Sequence, residues 1–290
     1  MKIEQIKIDF NVTPEIKRFV YVYLFGTADA CYLVDSGVAG CEAEIESRMA
    51  RLGFASENLK GIFLTHAHPD HIGTANYFRT KYGCKVYASE GEKRWIENID
   101  VQFAERPIPN FYKLAGASTP VDVVVGDGDK IDLCDGNVLN VVATPGHSAD
   151  EVSYVLNDCA FIGDAIPVKG DIPILVNVPD TRATLERIAA LDCDTFYPAW
   201  DHTYDAREMQ VKVAEAEALL NAIESAVKQS KAFAVSAAVK QSAVPSANLE
   251  SASLSESSDL AAIVDEVCAR LSAPMLKMNP LFKTTVKAFL

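Results

Sequence analysis

The sequence predicts an α/β fold with a helical C-terminal extension, on three observations. The first hundred residues read as short apolar strands joined by turns. A strand, polar loop, helix, strand succession spans residues 61–88, the order expected of α/β architecture. From Ala206 the pattern changes to one long apolar stripe at helical spacing.

Taken in order, residues 1–10 alternate like a strand. Residues 18–25 and 30–34 flank Gly26-Thr27-Ala28-Asp29, a hairpin signal. A helix over residues 41–52 stops at Gly53. The apolar strand Gly61-Ile62-Phe63-Leu64-Thr65 delivers His66 at its C-terminal end; a helix over 72–82 closes at Gly83, and 84–88 returns as a strand. After Gly91, Pro107, Pro109 and Pro120 predict irregular connections. Strands resume at 121–125, 130–133, 138–143, 152–156 and 159–162, the first three separated by Gly126-Asp127-Gly128-Asp129 and Cys134-Asp135-Gly136-Asn137. Two of these strands end in polar side chains, one at Thr144-Pro145-Gly146-His147 and one at Gly163-Asp164.

Met209, Val213, Ala216, Leu220, Ile223 and Val227 then recur at four- and three-residue intervals on one helix face. The Ser- and Ala-rich stretch 242–258 reads as a flexible link, before a helix near 260–271 and an amphipathic tail. The expected division is a main domain, 1–205, and a helical extension, 206–290. The extension is expected to pack on the core, cover the site or join a homodimer.

The chain has 290 residues and is 49% hydrophobic, enough for one large core or a core with a helical appendage. Its 27 Lys and Arg against 40 Asp and Glu give a net charge of -13 with no basic run. Such a surface gains little from counterion release, so nucleic acid is not the expected partner. Seven scattered cysteines with no Cys-x-x-Cys pair fit neither a disulfide framework nor a thiolate metal site. The N-terminus carries no signal-peptide pattern and no stretch reaches the ~18 apolar residues of a membrane span. A cytoplasmic chain without membrane partners is the expectation.

The chemistry lies in the five histidines. Three sit in Thr65-His66-Ala67-His68-Pro69-Asp70-His71, one in Pro145-Gly146-His147-Ser148, and the last at His202. His66 and His68 are two residues apart, which places both imidazoles on one side of an extended segment. One metal could take His66, His68 and His147, and a second Asp70, His71 and a later histidine. Neutral imidazoles with carboxylates suit zinc, with iron or manganese as alternatives. Asp164 is the natural bridge, since it follows an apolar strand and Gly163 permits a tight turn. Two cations about 3.5–4 Å apart would share it and a hydroxide, whose formation the metals bring toward neutral pH. A lone histidine is more often structural than ligating, but burying this whole set without metal would strand several polar groups.

Residues 65–73, Thr-His-Ala-His-Pro-Asp-His-Ile-Gly, resemble the signature of the metallo-β-lactamase superfamily of hydrolases. Thr144-Pro145-Gly146-His147-Ser148 is similar to its second ligand motif and Gly163-Asp164-Ala165 to its bridging-aspartate segment. The resemblance runs from about residue 18 to 202 and makes 1–205 the catalytic domain. It implies a four-layer αβ/βα sandwich of two mixed sheets with two divalent metal ions, zinc by preference, at one edge. His66, His68 and His147 would hold the first metal. Asp70, His71 and a last histidine would hold the second, with Asp164 between them and Asp70 also orienting the attacking water. Histidine at position 68, where the di-iron flavoprotein branch has glutamate, favours hydrolysis. The last ligand departs from the family's Pro-Gly-His-Gly element, because this chain reads Tyr197-Pro198-Ala199-Trp200-Asp201-His202-Thr203. His202 is the choice, with Asp201 as its alternative.

The resemblance implies attack of a metal-bound hydroxide on a small-molecule ester, thioester or lactone, in a glyoxalase II-like or lactonase-like branch. No nuclease-sized insertion separates Asp164 from His202. Two other readings stay open: a phosphodiesterase of the same fold, and a metal- or ligand-binding regulator that dimerises through its helical tail. Residues 163–176 are placed to border the pocket, with Lys169 facing either a substrate anion or solvent. Tyr23, Tyr32 and Trp200 line either an acyl pocket or the core.

Overall fold

The computed structural model describes residues 1–134, 136–168, 170–241, 258–273, 276 and 279–290. The expected 242–258 link therefore falls outside the described residues, apart from Ser258. Two six-stranded sheets form among the described residues. In the first, β1 (Lys2–Asn11), β2 (Lys17–Gly26) and β3 (Cys31–Val34) pair antiparallel, and β4 (Leu59–Phe63), β5 (Lys85–Ser89) and β6 (Val123–Val125) continue in parallel. In the second, β7 (Lys130–Asp132), β8 (Val138–Ala143), β9 (Val152–Leu156) and β10 (Cys159–Gly163) form an antiparallel meander. Next to β10 lies β11 (Thr195–Pro198), in parallel, and β12 (Tyr204–Asp205) folds back on β11 at the edge.

The sheets face each other across an aromatic core. Tyr23, Phe25, Tyr32 and Phe63 of the first meet Leu139, Val141, Tyr154 and Phe161 of the second, with the Phe25 and Phe161 rings stacked at 5.5 Å. Strand β2 is apolar on both sides because both are covered: Val20, Val22 and Leu24 face the outer helices, while Tyr23 and Phe25 face the other sheet. On the outer face of the first sheet lie α1 (Glu42–Leu52), α3 (Ala75–Tyr82) and α4 (Glu90–Glu97), which bury Ile45, Met49, Phe78 and Ile96. Outside the second lie α7 (Val178–Ala189) and the first half of α8 (Ala206–Gln241), burying Leu185, Ile188, Met209 and Leu220. Helix, sheet, sheet, helix is the expected four-layer αβ/βα sandwich.

The apolar stripe of α8 continues through Ile223 and Val227 into a separate cluster with α9 (Ser258–Arg270) and α10 (Pro280–Ala288). The extension also touches the main body: Thr285 Oγ1 donates to the Pro173 carbonyl at 2.6 Å and accepts from Leu175 N–H at 3.1 Å. No helix among the described residues is long and apolar enough to cross a membrane.

Three local expectations change. The helix expected over 72–82 is two, α2 (Pro69–Ile72) and α3, broken at Gly73 and Thr74. A Cβ on Gly73 would lie 2.2 Å from Ala39 N, so the chain there packs backbone to backbone. The stretch after Gly91 is largely helical, forming most of α4, then α5 (Ile99–Glu105) and α6 (Phe111–Ala115), while Pro107, Pro109 and Pro120 lie in the irregular connections expected of them. Helix α7, unmarked in the sequence reading, starts from an Asn177 cap that accepts Asp180 N–H at 2.9 Å, with Pro179 in its first turn. Proline there is a helix opener, since its missing N–H would have no helical partner.

Candidate metal centre

The site forms where β4, β8 and β10 end at one edge of the two sheets. Past Phe63 the chain leaves the first sheet and is caught by polar groups. Asp35 Oδ1 accepts Thr65 N–H at 2.8 Å, Glu92 Oε2 accepts Ala67 N–H at 2.9 Å, and Gln102 Nε2 donates to the Ala67 carbonyl at 2.6 Å. Both peptide groups of Ala67 are thus satisfied without secondary structure, and the flanking His66 and His68 side chains turn the same way. On the opposite sheet, Gly163 adopts φ 50, and a Cβ there would sit 2.6 Å from Glu151 Oε1 and 2.8 Å from Thr65 Oγ1. Only glycine fits, and the tight turn it allows aims Asp164 at the histidines.

His66, His68, His147 and Asp164 each offer a ligand atom, all within 4.8 Å of one another. Asp164 Oδ2 lies 3.2 Å from His147 Nε2 and 3.9 Å from His66 Nε2, and His147 Nε2 lies 2.9 Å from His68 Nδ1. A second group shares the other carboxylate oxygen. His71 Nε2 is 3.4 Å from Asp164 Oδ1 and 3.6 Å from Asp70 Oδ2. Buried and without hydrogen-bond partners are His66 Nε2, His71 Nε2, Asp70 Oδ2 and Asp164 Oδ1. Convergent lone pairs with no donors to meet them are what a cation would satisfy, and the nitrogen and oxygen donors suit a borderline or hard divalent ion.

Outer contacts assign the tautomers. Asp35 Oδ2 accepts from His71 Nδ1 at 2.8 Å and the Ile174 carbonyl accepts from His147 Nδ1 at 3.0 Å. Thr65 Oγ1 donates to Asp35 and accepts from His66 Nδ1 at 3.0 Å. In His66 and His147 the proton sits on Nδ1, leaving the Nε2 lone pair facing inward, while Asp35 holds a proton on His71 Nδ1 and so makes Nε2 the atom aimed at the site. Burial pushes His66 and His68 well below the ordinary imidazole value and His147 down to about 4, so these rings are neutral at pH 7. His71 moves the other way: burial is outweighed by Asp164, Asp35 and Asp70. Burial likewise opposes ionisation of Asp164, but His71 and His147 hold its carboxyl low.

His202, expected as the last ligand, is not brought to this cluster. Its side chain is 58% exposed and bonds Asp201 Oδ1 and Glu208 Oε1, each at 2.8 Å. Asp201, the alternative, is also turned away, accepting from Tyr204 Oη and Lys212 Nζ. The cause is the β11–β12 hairpin, whose register pairs Phe196 with Tyr204 and leaves residue 202 in the outer turn. Trp200 takes the inward position instead. Its indole N–H is buried and unpaired, near enough to Asp164 to favour the carboxylate but outside hydrogen-bond geometry.

The sequence reading also missed Asp35, Glu92, Gln102, Glu151 and Arg106. The first four are buried polar groups that brace the ligand loops, and Glu151 Oε1 accepts Asp164 N–H at 2.8 Å. Such residues come from distant segments, and no local motif marks them. Arg106 lines a cavity of about 280 Å³ that opens onto His68, Asp70, His147 and Asp164. Trp200 borders the same cavity, as do Ile166 and Ile172 from the 163–176 segment. Tyr23 and Tyr32 lie in the inter-sheet core, and Lys169 lies outside the described residues.

Comparison with known proteins agrees with this geometry. Residues 16–200 match the sequence model of the family described as Metallo-beta-lactamase superfamily. A hydroxyacylglutathione hydrolase of Thiobacillus denitrificans is 31% identical over 148 residues, covering 50% of this chain and 46% of that protein. Its namesake in Dechloromonas aromatica is 27% identical over 196 residues, covering 67% and 61%. The chain spans about half the length of the curated relatives it matches. In fold, it superposes on a metallo-beta-lactamase family protein of Thermus thermophilus with a TM-score of 0.63 at 22% identity, covering 78% of this chain and 81% of that one. A subclass B3 metallo-beta-lactamase of Bradyrhizobium japonicum gives a TM-score of 0.58 at 21% identity, covering 77% and 90%.

Proposed function

Because the chain belongs to the metallo-beta-lactamase superfamily, we propose that it is a metal-dependent hydrolase of a small-molecule ester, thioester or lactone. The observation that carries this reading is the convergence of His66, His68, His147 and Asp164, the last three lining an open, largely apolar cavity. Relatives named hydroxyacylglutathione hydrolases favour a thioester as the first substrate to try.

His66, His68, His147 and one oxygen of Asp164 would hold the first divalent ion, with zinc as the best match to this donor set. Asp70, His71 and the other oxygen of Asp164 would hold a second more weakly, since Trp200 rather than a fourth ligand faces them. Bound there, such ions supply Lewis acidity and make water acidic enough to ionise near neutral pH. The chain's own groups do the rest. The Thr65 and Ile174 contacts keep the lone pairs of the neutral His66 and His147 rings inward, and Asp35 holds the His71 Nδ1 proton so that Nε2 is the atom a metal would meet. Asp70, whose buried Oδ2 has no partner, would accept a hydrogen bond from the attacking water. Trp200 walls off one side of the site from solvent. In the reaction the water oxygen joins the acyl carbon, the C–S or C–O bond breaks, and the leaving group takes up a proton.

The test is a screen of the zinc-loaded chain against thioesters, lactones, phosphodiesters and β-lactams. A preference for one acyl class of more than ~100-fold in kcat/KM, about 2.7 kcal/mol in the transition state, lost in His68→Ala and Asp164→Asn chains that still fold, supports the reading. Turnover of phosphodiesters alone, or turnover indifferent to both substitutions, overturns it.

A further inference from the structure

The cavity holds two arginines in unlike states. Arg18 is fully engaged: its Nη2 meets Asp171 Oδ2 at 2.6 Å and its guanidinium lies 4.3 Å from the Trp200 ring centre. Arg106 makes no hydrogen bond or ion pair through its side chain among the described residues, although it is only part-exposed. It sits at the end of α5, the helix whose Gln102 clamps Ala67 in the histidine loop. Arg106 N–H also bonds the Gln102 carbonyl at 2.7 Å, which ties its backbone to the same residue that braces the histidine loop.

Asp70, Asp164 and Glu92 act on Arg106 through space without touching it. Glu92 is already bonded to Ala67, Ser148 and Asp150. With a divalent ion held by Asp70 and Asp164, their charge is committed, and Arg106 becomes an uncompensated cation beside a positive centre. A half-buried guanidinium left in that state is costly unless an anion arrives with the substrate. A carboxylate fits its planar fork with two parallel hydrogen bonds. One unpaired arginine balances one negative charge. A phosphate monoester, at about −1.5 to −2, would leave charge unmatched beside Asp171, which already neutralises Arg18. Apart from Arg18 and Asp171, the cavity walls are largely apolar, with Phe10, Ile108, Leu114, Ile166, Ile172 and Leu281, so a hydrocarbon body suits the rest of the ligand.

We propose that Arg106 is the specificity-determining residue of this cavity, and that the substrate is an acyl ester or thioester bearing a single carboxylate joined to the scissile group through an apolar spacer. This rests on the acyl-hydrolase reading above.

The experiment has a kinetic and a binding arm, both on the full zinc-loaded chain. In the first, thioesters of one small thiol are compared in pairs differing only in a terminal acyl carboxylate: succinyl with butyryl, glutaryl with valeryl, adipyl with hexanoyl. At least one acid is expected to exceed its neutral partner at least tenfold in kcat/KM, chiefly through KM. That ratio should fall about tenfold in Arg106→Met and be partly restored in Arg106→Lys. In the second arm, glutarate and its neutral dimethyl ester are titrated by tryptophan fluorescence. Glutarate should bind at least tenfold more weakly to Arg106→Met, with the diester unmoved between the two proteins. Phosphate monoester thioesters preferred over the carboxylates would overturn the assignment of charge. Equal acid and neutral rates, or an acid preference indifferent to Arg106, would overturn the inference while leaving the hydrolase intact. If no acyl substrate turns over, the hydrolase reading fails and the binding arm decides the role of Arg106 alone.

Discussion

Replacing Asp35 by asparagine should damage metal binding more than folding. Asp35 is buried at φ 56, a left-handed conformation that asparagine tolerates, so the exchange adds no backbone strain. The carboxylate accepts from Thr65 N–H at 2.8 Å, from Thr65 Oγ1 at about 3 Å, and from His71 Nδ1 at 2.8 Å. An amide oxygen can retain the Thr65 N–H bond, but without the charge. The amide NH2 then faces His71 Nδ1 or Thr65 Oγ1, where a donor meets a donor. Bonds to charged acceptors are worth about 1.5–3 kcal/mol and neutral ones about 0.5–1.5, so weakening one and inverting another costs about 2–3 kcal/mol of stability. The larger consequence is chemical. To accept from the new amide, His71 must give up its Nδ1 proton and keep one on Nε2, the atom that faces Asp70 and Asp164, so a metal there finds no lone pair. Outer-sphere substitutions of this kind cost about 10–100-fold in metal affinity. Urea unfolding of the metal-free chain, zinc competition against a chromophoric chelator, and nitrogen NMR of the His71 tautomer measure the three effects. Zinc affinity within twofold of the parent, with His71 still protonated on Nδ1, would refute the reasoning.

Further outcomes follow from the same contacts. Trp200→His should raise the zinc bound at saturation, measured by mass spectrometry of the native protein, by giving the Asp70, His71 and Asp164 group a fourth ligand; unchanged stoichiometry would count against its incompleteness. Asp201 has its carboxyl held down to about 2, burial being outweighed by Tyr204, His202 and Lys212. A depressed carboxylate contributes stability that is complete above its ordinary value near 3.8 and lost as pH falls toward about 2. Asp201→Asn should therefore cost roughly 1–2 kcal/mol after solvent screening at pH 5 to 7. The gap to the parent should close below pH 3 in unfolding curves, and a gap of constant size down to pH 2 would contradict the contact.

Much of this fold was legible because its signals are local. The strand ending at Phe63 and the hairpin around residues 26–29 lie in continuous apolar runs with turn residues between them. The helices after Gly91 were hidden because they are short and the glycine of α4 answers to a contact elsewhere: a Cβ on Gly91 would meet Asp150 at 2.5 Å, a neighbour invisible in sequence. In the site, the histidine-rich loop declared itself by spacing, and Asp164 by its position after a buried strand. His202 misled because nearness along the chain to β11 says nothing about which residue of the following turn points inward. Ala199 N–H bonds the Gly163 carbonyl at 2.9 Å and the Ala199 carbonyl accepts Tyr21 N–H at 2.8 Å. Those two long-range bonds hold the chain beside the site at Ala199, so Trp200 enters the cavity. Asp35 is set by the same kind of tertiary contact, to Thr65 and His71.

Zinc-edge anomalous scattering from crystals of the zinc-loaded chain tests the central claim most directly. The account predicts a strong peak enclosed by His66 Nε2, His68 Nδ1, His147 Nε2 and Asp164 Oδ2, with any weaker second peak between Asp70, His71 and the other oxygen of Asp164. A peak at His202 and Glu208 with none among those four side chains would contradict it.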